Sequence, residues 1–208
     1  MKQLIIFILV FFISISDAFA QMKRLDNISD FVKQFEQNLS AIKSLECDFM
    51  QITHKNAFNR DIHSSGKFNY KAGDKITLKY IMPAPYSVEI KGDTVKMEYN
   101  GRKTIMNMKD NKMLKEMNNI LTSCMTGIFR SLLKDYQVDF FENEQLYLLT
   151  FKPINEDIKK NITQFDMYLN NKEMSLDKFR IYETEGDYTE YKFKNKKINT
   201  PQNQKSQK

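Results

Sequence analysis

The chain has 208 residues, of which 41% are hydrophobic, 12% aromatic and 28% charged, with a formal net charge of +6 at pH 7 and two cysteines. That length fits one domain with a sizeable core. The basic residues are spread along the chain and form no stripe interleaved with aromatics, which argues against a nucleic-acid partner and for a solvated surface with a mild pull toward anionic headgroups.

The amino terminus opens with Met1-Lys2-Gln3, continues through an uncharged apolar run at residues 4–15, and reaches Ala18-Phe19-Ala20. This is the pattern of a secretory signal peptide spanning residues 1–20, with small residues two apart before the cleavage point and an apolar run shorter than the roughly 20 residues a spanning helix needs. No cysteine begins the remaining chain, so the mature protein is not expected to be acylated itself. It is expected to be free in the periplasm as one domain over residues 21–198, followed by a polar, disordered tail at residues 199–208.

After the leader, Ile28, Phe31, Val32, Phe35, Leu39 and Ile42 recur at the spacing of one helical face, with Asn27 or Ser29 as cap. The period then changes to two. Leu45, Cys47 and Phe49 alternate with polar neighbours, as do Phe68 and Tyr70, then Ile76, Leu78 and Tyr80, then Tyr86, Val88 and Ile90, then Val95, Met97 and Tyr99. Ala72-Gly73-Asp74, Pro83-Ala84-Pro85, Gly92-Asp93 and Asn100-Gly101 separate them with turn chemistry, which predicts consecutive antiparallel hairpins.

Between residues 109 and 134 the alternation stops. Met113, Met117, Ile120, Leu121 and Cys124, then Ile128, Phe129, Leu132 and Leu133, follow helical spacing and predict one or two helices. Alternation resumes at Val138 and Phe140, at Leu146 and Leu148, across residues 162–169, at Phe179 and Ile181, and at Tyr188, Tyr191 and Phe193. The expected fold class is therefore α+β: about ten strands in a strongly curved antiparallel sheet, an incomplete β-barrel that wraps short helices and is covered by them. Periodicity alone leaves open whether the apolar face closes on a solid core or on a cavity.

Six methionines, Met97, Met106, Met108, Met113, Met117 and Met125, fall where a lid over the sheet would lie. Flexible thioethers suit promiscuous apolar surfaces, and they suit ordinary gap-filling in a core equally well. Cys47 and Cys124 survive in an oxidising compartment, and the sequence leaves both pairing and two buried thiols open.

Other chemistry is sparse. His54 and His63 with Asp61 lack a third ligand at zinc spacing, so hairpin-surface histidines are the better reading. Glu183, Glu185 and Asp187 around Gly186 read as a charged turn, and the sequons at Asn27, Asn38 and Asn161 as chance in an asparagine-rich chain. No nucleophile elbow or phosphate loop is found, and no enzyme activity, cofactor or metal is expected.

Leu45-Glu46-Cys47-Asp48-Phe49-Met50-Gln51, Ser65-Gly66-Lys67-Phe68-Asn69-Tyr70-Lys71, Leu78-Lys79-Tyr80 ahead of Pro83 and Pro85, and Lys91-Gly92-Asp93 together resemble the opening of the outer-membrane lipoprotein carrier family, LolA-like. Asn111-Lys112-Met113-Leu114-Lys115-Glu116-Met117-Asn118 and the stretch Glu185-Gly186-Asp187-Tyr188-Thr189-Glu190-Tyr191 resemble its Bacteroidetes-type members. The resemblance runs from about residue 39 to 200 and rests on the ordered set, since no single motif is specific. It implies a monomer in transient membrane contact, whose cavity receives the acyl chains of lipoproteins from an inner-membrane transporter and hands them to an outer-membrane receptor. Under that reading the cavity and lid are lined by Phe49, Phe68, Tyr70, Leu78, Tyr80, Val88, Met97, Met113 and Met117. The family's lid-latching arginine has no counterpart at Lys71, since lysine lacks the planar donor fork. The alternative is a lipid- or lipoprotein-sensing regulatory module of the same fold.

Overall fold

A computed structural model describes residues 22–73, 75–108, 115–116, 118–120, 122–123 and 129–199. The expected signal peptide, Met113 and Met117 of the expected lid, Cys124, and the tail from residue 200 lie outside the described residues.

The described residues form one open antiparallel sheet of 12 strands in the order β1-β8-β9-β10-β11-β12-β2-β3-β4-β5-β6-β7. In chain order these are β1 (Lys23–Arg24), β2 (Ser44–Lys55), β3 (Arg60–Lys71), β4 (Lys75–Met82), β5 (Tyr86–Lys91), β6 (Thr94–Tyr99), β7 (Arg102–Asn107), β8 (Tyr136–Glu142), β9 (Leu146–Pro153), β10 (Ile162–Asn170), β11 (Leu176–Glu183) and β12 (Tyr188–Ile198). Two runs of hairpins, β2 to β7 and β8 to β12, are joined side by side where β12 pairs with β2. The helices are few: α1 (Ile28–Ser40), the four-residue α2 (Glu156–Lys159), and helical residues within the central segment. The curved, helix-covered sheet read from the sequence is the observed fold.

α1 begins at Asn27, whose side chain accepts from the backbone N–H of Asp30 at 3.2 Å. Its apolar stripe buries Phe31, Val32, Phe35 and Leu39, each worth about 1.5–3 kcal/mol. The Phe31 ring meets Phe140 at 5.8 Å and Tyr147 at 4.7 Å, so the helix lies on the β8–β9 side of the concave face.

Antiparallel register arranges that face in rungs. One runs Phe193, Phe49, Gly66, Tyr80, Tyr86, Tyr99; the next Cys47, Phe68, Leu78, Val88, Met97; the third Leu45, Tyr70, Ile76, Ile90, Val95, Met106. Gly66 is required by its neighbours: a Cβ there would sit 2.1 Å from the Lys79 carbonyl oxygen and 2.9 Å from the Phe49 ring. The Phe49 ring occupies the space that the missing side chain leaves.

The outer face carries a polar row in the same register, Thr150, Asp166, Arg180 and Glu190. Asp166 and Glu190 are only 4% and 3% exposed. Asp166 accepts from Thr150, Gln164 and Tyr182, and Glu190 from Arg180, with Lys192 at 3.2 Å. Burial works against ionisation of Glu190, and the bonds and charge of Arg180 and Lys192 overcome it, holding its carboxyl below the usual range.

The structure differs from the sequence reading at several points. β1 and β7 were not expected: two residues carry no period, and Arg102-Lys103 masks the weak alternation of an edge strand. β2 and β3 extend to 12 residues each because the polar part of their hairpin pairs as well as the apolar part. Asn199, expected in the disordered tail, is tied down: its side chain accepts from the Lys43 N–H at 2.6 Å and donates to the Ala41 carbonyl at 2.8 Å. Among the described residues no helix is long and apolar enough to cross a membrane.

Candidate functional site

The rungs on β3 to β6 do not close into solid packing. They border a cavity of about 200 Å³ whose described lining is Phe68, Leu78, Tyr80, Tyr86, Val88, Ile90, Val95, Met97, Met106, Asn118, Tyr191 and Phe193. None of these side chains is charged. Alternation aims inward residues of five consecutive strands, β3 to β7, into one space, and the β12–β2 pairing brings in Tyr191 and Phe193 from the far end of the chain.

One end of the cavity is aromatic and polar. The Tyr80 and Tyr86 rings stack at 4.1 Å, and Phe49 meets Tyr80 edge-on at 4.9 Å. The Tyr80 hydroxyl donates to Gln51 Oε1 at 2.7 Å, and Gln51 Nε2 donates to Thr53 Oγ1 at 3.0 Å. Burial pushes the phenols of Tyr80 and Tyr86 well up and that of Tyr191 up to about 12, so all three are neutral hydroxyls at ordinary pH.

The central helical residues lie over the concave face. Ile120 has no exposed surface, and Asn118 lines the cavity. The Tyr136 hydroxyl donates to Glu116 Oε2 at 2.8 Å, which ties this segment to β8. Lys71, at the position compared with the family's latch, is an exposed residue at the end of β3.

Of the residues proposed from the sequence, Phe68, Leu78, Tyr80, Val88 and Met97 line the cavity. Phe49 and Tyr70 share the face but are buried in the adjoining core, and Met113 and Met117 lie outside the described residues. Sequence reading missed Tyr86, Ile90, Val95, Met106, Asn118, Tyr191 and Phe193. Tyr86, Ile90 and Val95 alternate in strands already recognised, so taking whole rungs finds them. Tyr191 and Phe193 depend on pairings with Gln51 and Phe49, at the other end of the chain, that no local pattern carries.

The remaining chemistry has structural partners. His54 Nδ1 lies 2.7 Å from Asp61 Oδ1, and its ring stacks on Tyr188. Lys55 joins Asp187 at 2.7 Å and Glu183 at 3.4 Å, which pins the β2–β3 hairpin to the β11–β12 turn. Among the described residues no group of three His, Cys, Asp or Glu side chains is placed to hold a metal. Cys47 is a free, buried thiol, pushed up to about 12 by burial, and is a small core residue.

The family model described as "Outer membrane lipoprotein carrier protein LolA" matches residues 40–206. No curated protein matches the chain in sequence. Among solved structures, MucB is similar with a TM-score of 0.50 at 10% identity, over 85% of this chain and 62% of that one. The lipoprotein LppX of Mycobacterium tuberculosis gives a TM-score of 0.47 at 11% identity, covering 83% and 94% of the two chains. A LolA superfamily protein of Nitrosomonas europaea gives 0.41 at 9% identity, covering 81% and 94%.

Proposed function

Because the chain belongs to the LolA family of outer membrane lipoprotein carrier proteins, we propose that it carries lipoproteins across the periplasm with their acyl chains held in the cavity over β3 to β6. It acts by binding and release and needs no catalytic group. The observation that carries this reading is the uncharged cavity on the concave face of the sheet.

The energetics suit such cargo. Each methylene moved from water into an apolar site gains roughly 0.8 kcal/mol, so one long acyl chain gains on the order of 10 kcal/mol. Ligand pockets usually offer about 300–1,000 Å³, and the 200 Å³ here is smaller. Taking up a whole chain therefore requires the cover of the cavity to give way, and we assign Met113 and Met117 as the side chains that repack around the guest. Phe49 and Tyr70 back the lining from the adjoining core. A transporter in the inner membrane loads the carrier and a receptor at the outer membrane unloads it. The carrier works as a monomer that touches membranes only transiently.

The test is to incubate the purified mature protein with inner membranes and the releasing transporter, and to analyse the soluble fraction by native mass spectrometry. A soluble one-to-one complex with acylated lipoprotein supports the carrier. Lipid bound without any lipoprotein released favours the lipid-sensing module, and a protein that recovers neither sinks both.

A further inference from the structure

The sheet is open, and its two margins differ. One is β1, two residues long; the other is β7, six residues long. The two-residue turn Asn100-Gly101, with both residues at positive φ, joins β6 to β7. At the far end of the same ladder the Met108 N–H donates to the Asp93 carbonyl at 2.8 Å. Hydrogen-bonded and non-bonded pairs alternate along an antiparallel ladder. Counted from either end, Arg102, Thr104 and Met106 therefore exchange bonds with Tyr99, Met97 and Val95, while Lys103 and Ile105 sit in the pairs between, opposite Glu98 and Lys96. The N–H and C=O groups of Lys103 and Ile105 point away from β6, and among the described residues no strand lies beyond them. Two donors and two acceptors stand in one row there, beside an Ile105 side chain that is 70% exposed.

This margin is also a wall of the cavity, because Met106 lines it. Whatever is attached to an acyl chain lying against Met106 leaves the cavity within about one strand spacing, 4.7–4.9 Å, of that row. Six residues of strand offer a small contact beside the roughly 1,200 Å² that a stable interface between free partners or two copies buries. A peptide already anchored by its acyl chain is different: it is held at a high effective concentration, so a few bonds suffice. Main-chain bonds also ignore side chains, which suits cargo that shares an anchor and differs in the sequence after it.

We propose, resting on the acyl-binding reading above, that the outer margin of β7 takes the extended polypeptide segment following the acylated residue of a lipoprotein, as an added strand. The cavity holds the anchor and the row on Lys103 and Ile105 holds the tether.

The experiment is displacement of the neutral fluorophore N-phenyl-1-naphthylamine from the mature protein by lauroyl glycerol and by a lauroylated hexapeptide of serine and threonine, each below its micelle concentration. The lauroyl peptide is expected to compete at about tenfold lower concentration, the size of one or two hydrogen bonds. Its analogue with every peptide nitrogen methylated is expected to show no such gain. Ile105→Pro removes an outward N–H and spares the β6 ladder, since Ile105 lies in a pair that exchanges no bonds, and proline is tolerated at such edge positions. The variant is expected to lose most of the gain for the peptide while lauroyl glycerol competes as before, which reports an intact fold. No gain for the peptide, or a gain that methylation or Ile105→Pro leaves unchanged, overturns the proposal while acyl binding stands. A native protein that sediments as a dimer beside a monomeric Ile105→Pro variant also overturns it, because a second copy then occupies the row. Failure of both ligands to compete overturns the acyl reading and this inference with it.

Discussion

In the half of the sheet built from β8 to β12, Phe151, Phe165, Phe179 and Ile181 have no exposed surface, whereas on β5 Tyr86, Val88 and Ile90 remain half-buried around an open volume. Both halves alternate apolar and polar residues with the same period. What differs is the cover. α1 lays four large side chains on one half, and Phe165, Phe179, Tyr136 and Phe151 interlock beneath it with ring centroids 5.8–6.2 Å apart. Over the other half the described cover supplies Asn118 to the lining. An apolar sheet face is thus a core or a binding wall according to what packs upon it.

The contrast can be broken most forcefully from the packed half. Phe165→Ala is expected to cost about 3–5 kcal/mol in denaturant unfolding, because the site is enclosed and has no room to collapse. Acyl affinity per folded molecule is expected to be unchanged. A loss under 1 kcal/mol, of the order expected for a surface position, means that this half is not the rigid one.

Gly66→Val probes the close approach of β3 to β4 and Phe49, one strand away from the seam between the halves. Its side chain meets a backbone carbonyl that cannot turn aside, so a loss of about 3 kcal/mol and a lowered melting temperature are expected. Unchanged stability rules out the close approach of β3, β4 and Phe49.

The outer row gives a smaller, pH-dependent effect. The Glu190 carboxyl is held below its usual range in the fold, so its contribution is complete above about pH 4.3, the unfolded value, and is lost as pH falls through the lower folded value. Acid titration of stability is expected to be steeper for the native protein than for Glu190→Gln. Parallel curves remove the carboxylate from the account.

The smallest stability change and the sharpest functional one are expected from Val88→Phe. The added ring enters the cavity, so stability shifts by no more than about 1 kcal/mol in either direction. Acyl binding, read by fluorophore displacement, falls at least about tenfold, the loss of two or more buried methylenes. Unimpaired binding by this variant places the acyl site elsewhere.

The elements on both sides of this contrast were largely legible in the sequence; the contrast itself was not. The stripe of Phe31, Val32, Phe35 and Leu39 specifies α1 and its buried face, and the period-two runs with their turn residues specify the hairpins, because local spacing alone decides which side chains share a face. The rungs from Phe68 to Met97 follow from the same rule. The rest depends on distance. That β12 meets β2, and so delivers Tyr191 and Phe193, is set by register across the whole chain. Which apolar face receives a helix and which keeps a cavity is equally invisible to periodicity. β7 was hidden because an edge strand buries little, and Asn199 because a polar side chain that ties a corner looks like one in a tail.

The most direct test is photo-crosslinking with a lipopeptide whose acyl chain ends in a diazirine, followed by mapping of the modified residues. Labels confined to the inner residues of β4, β5 and β6, with Val88, Val95 and Met97 foremost, are the expected result. Labels spread over the outer face, or on the packed β9 to β11 half, contradict the claim that the cavity holds the acyl chain.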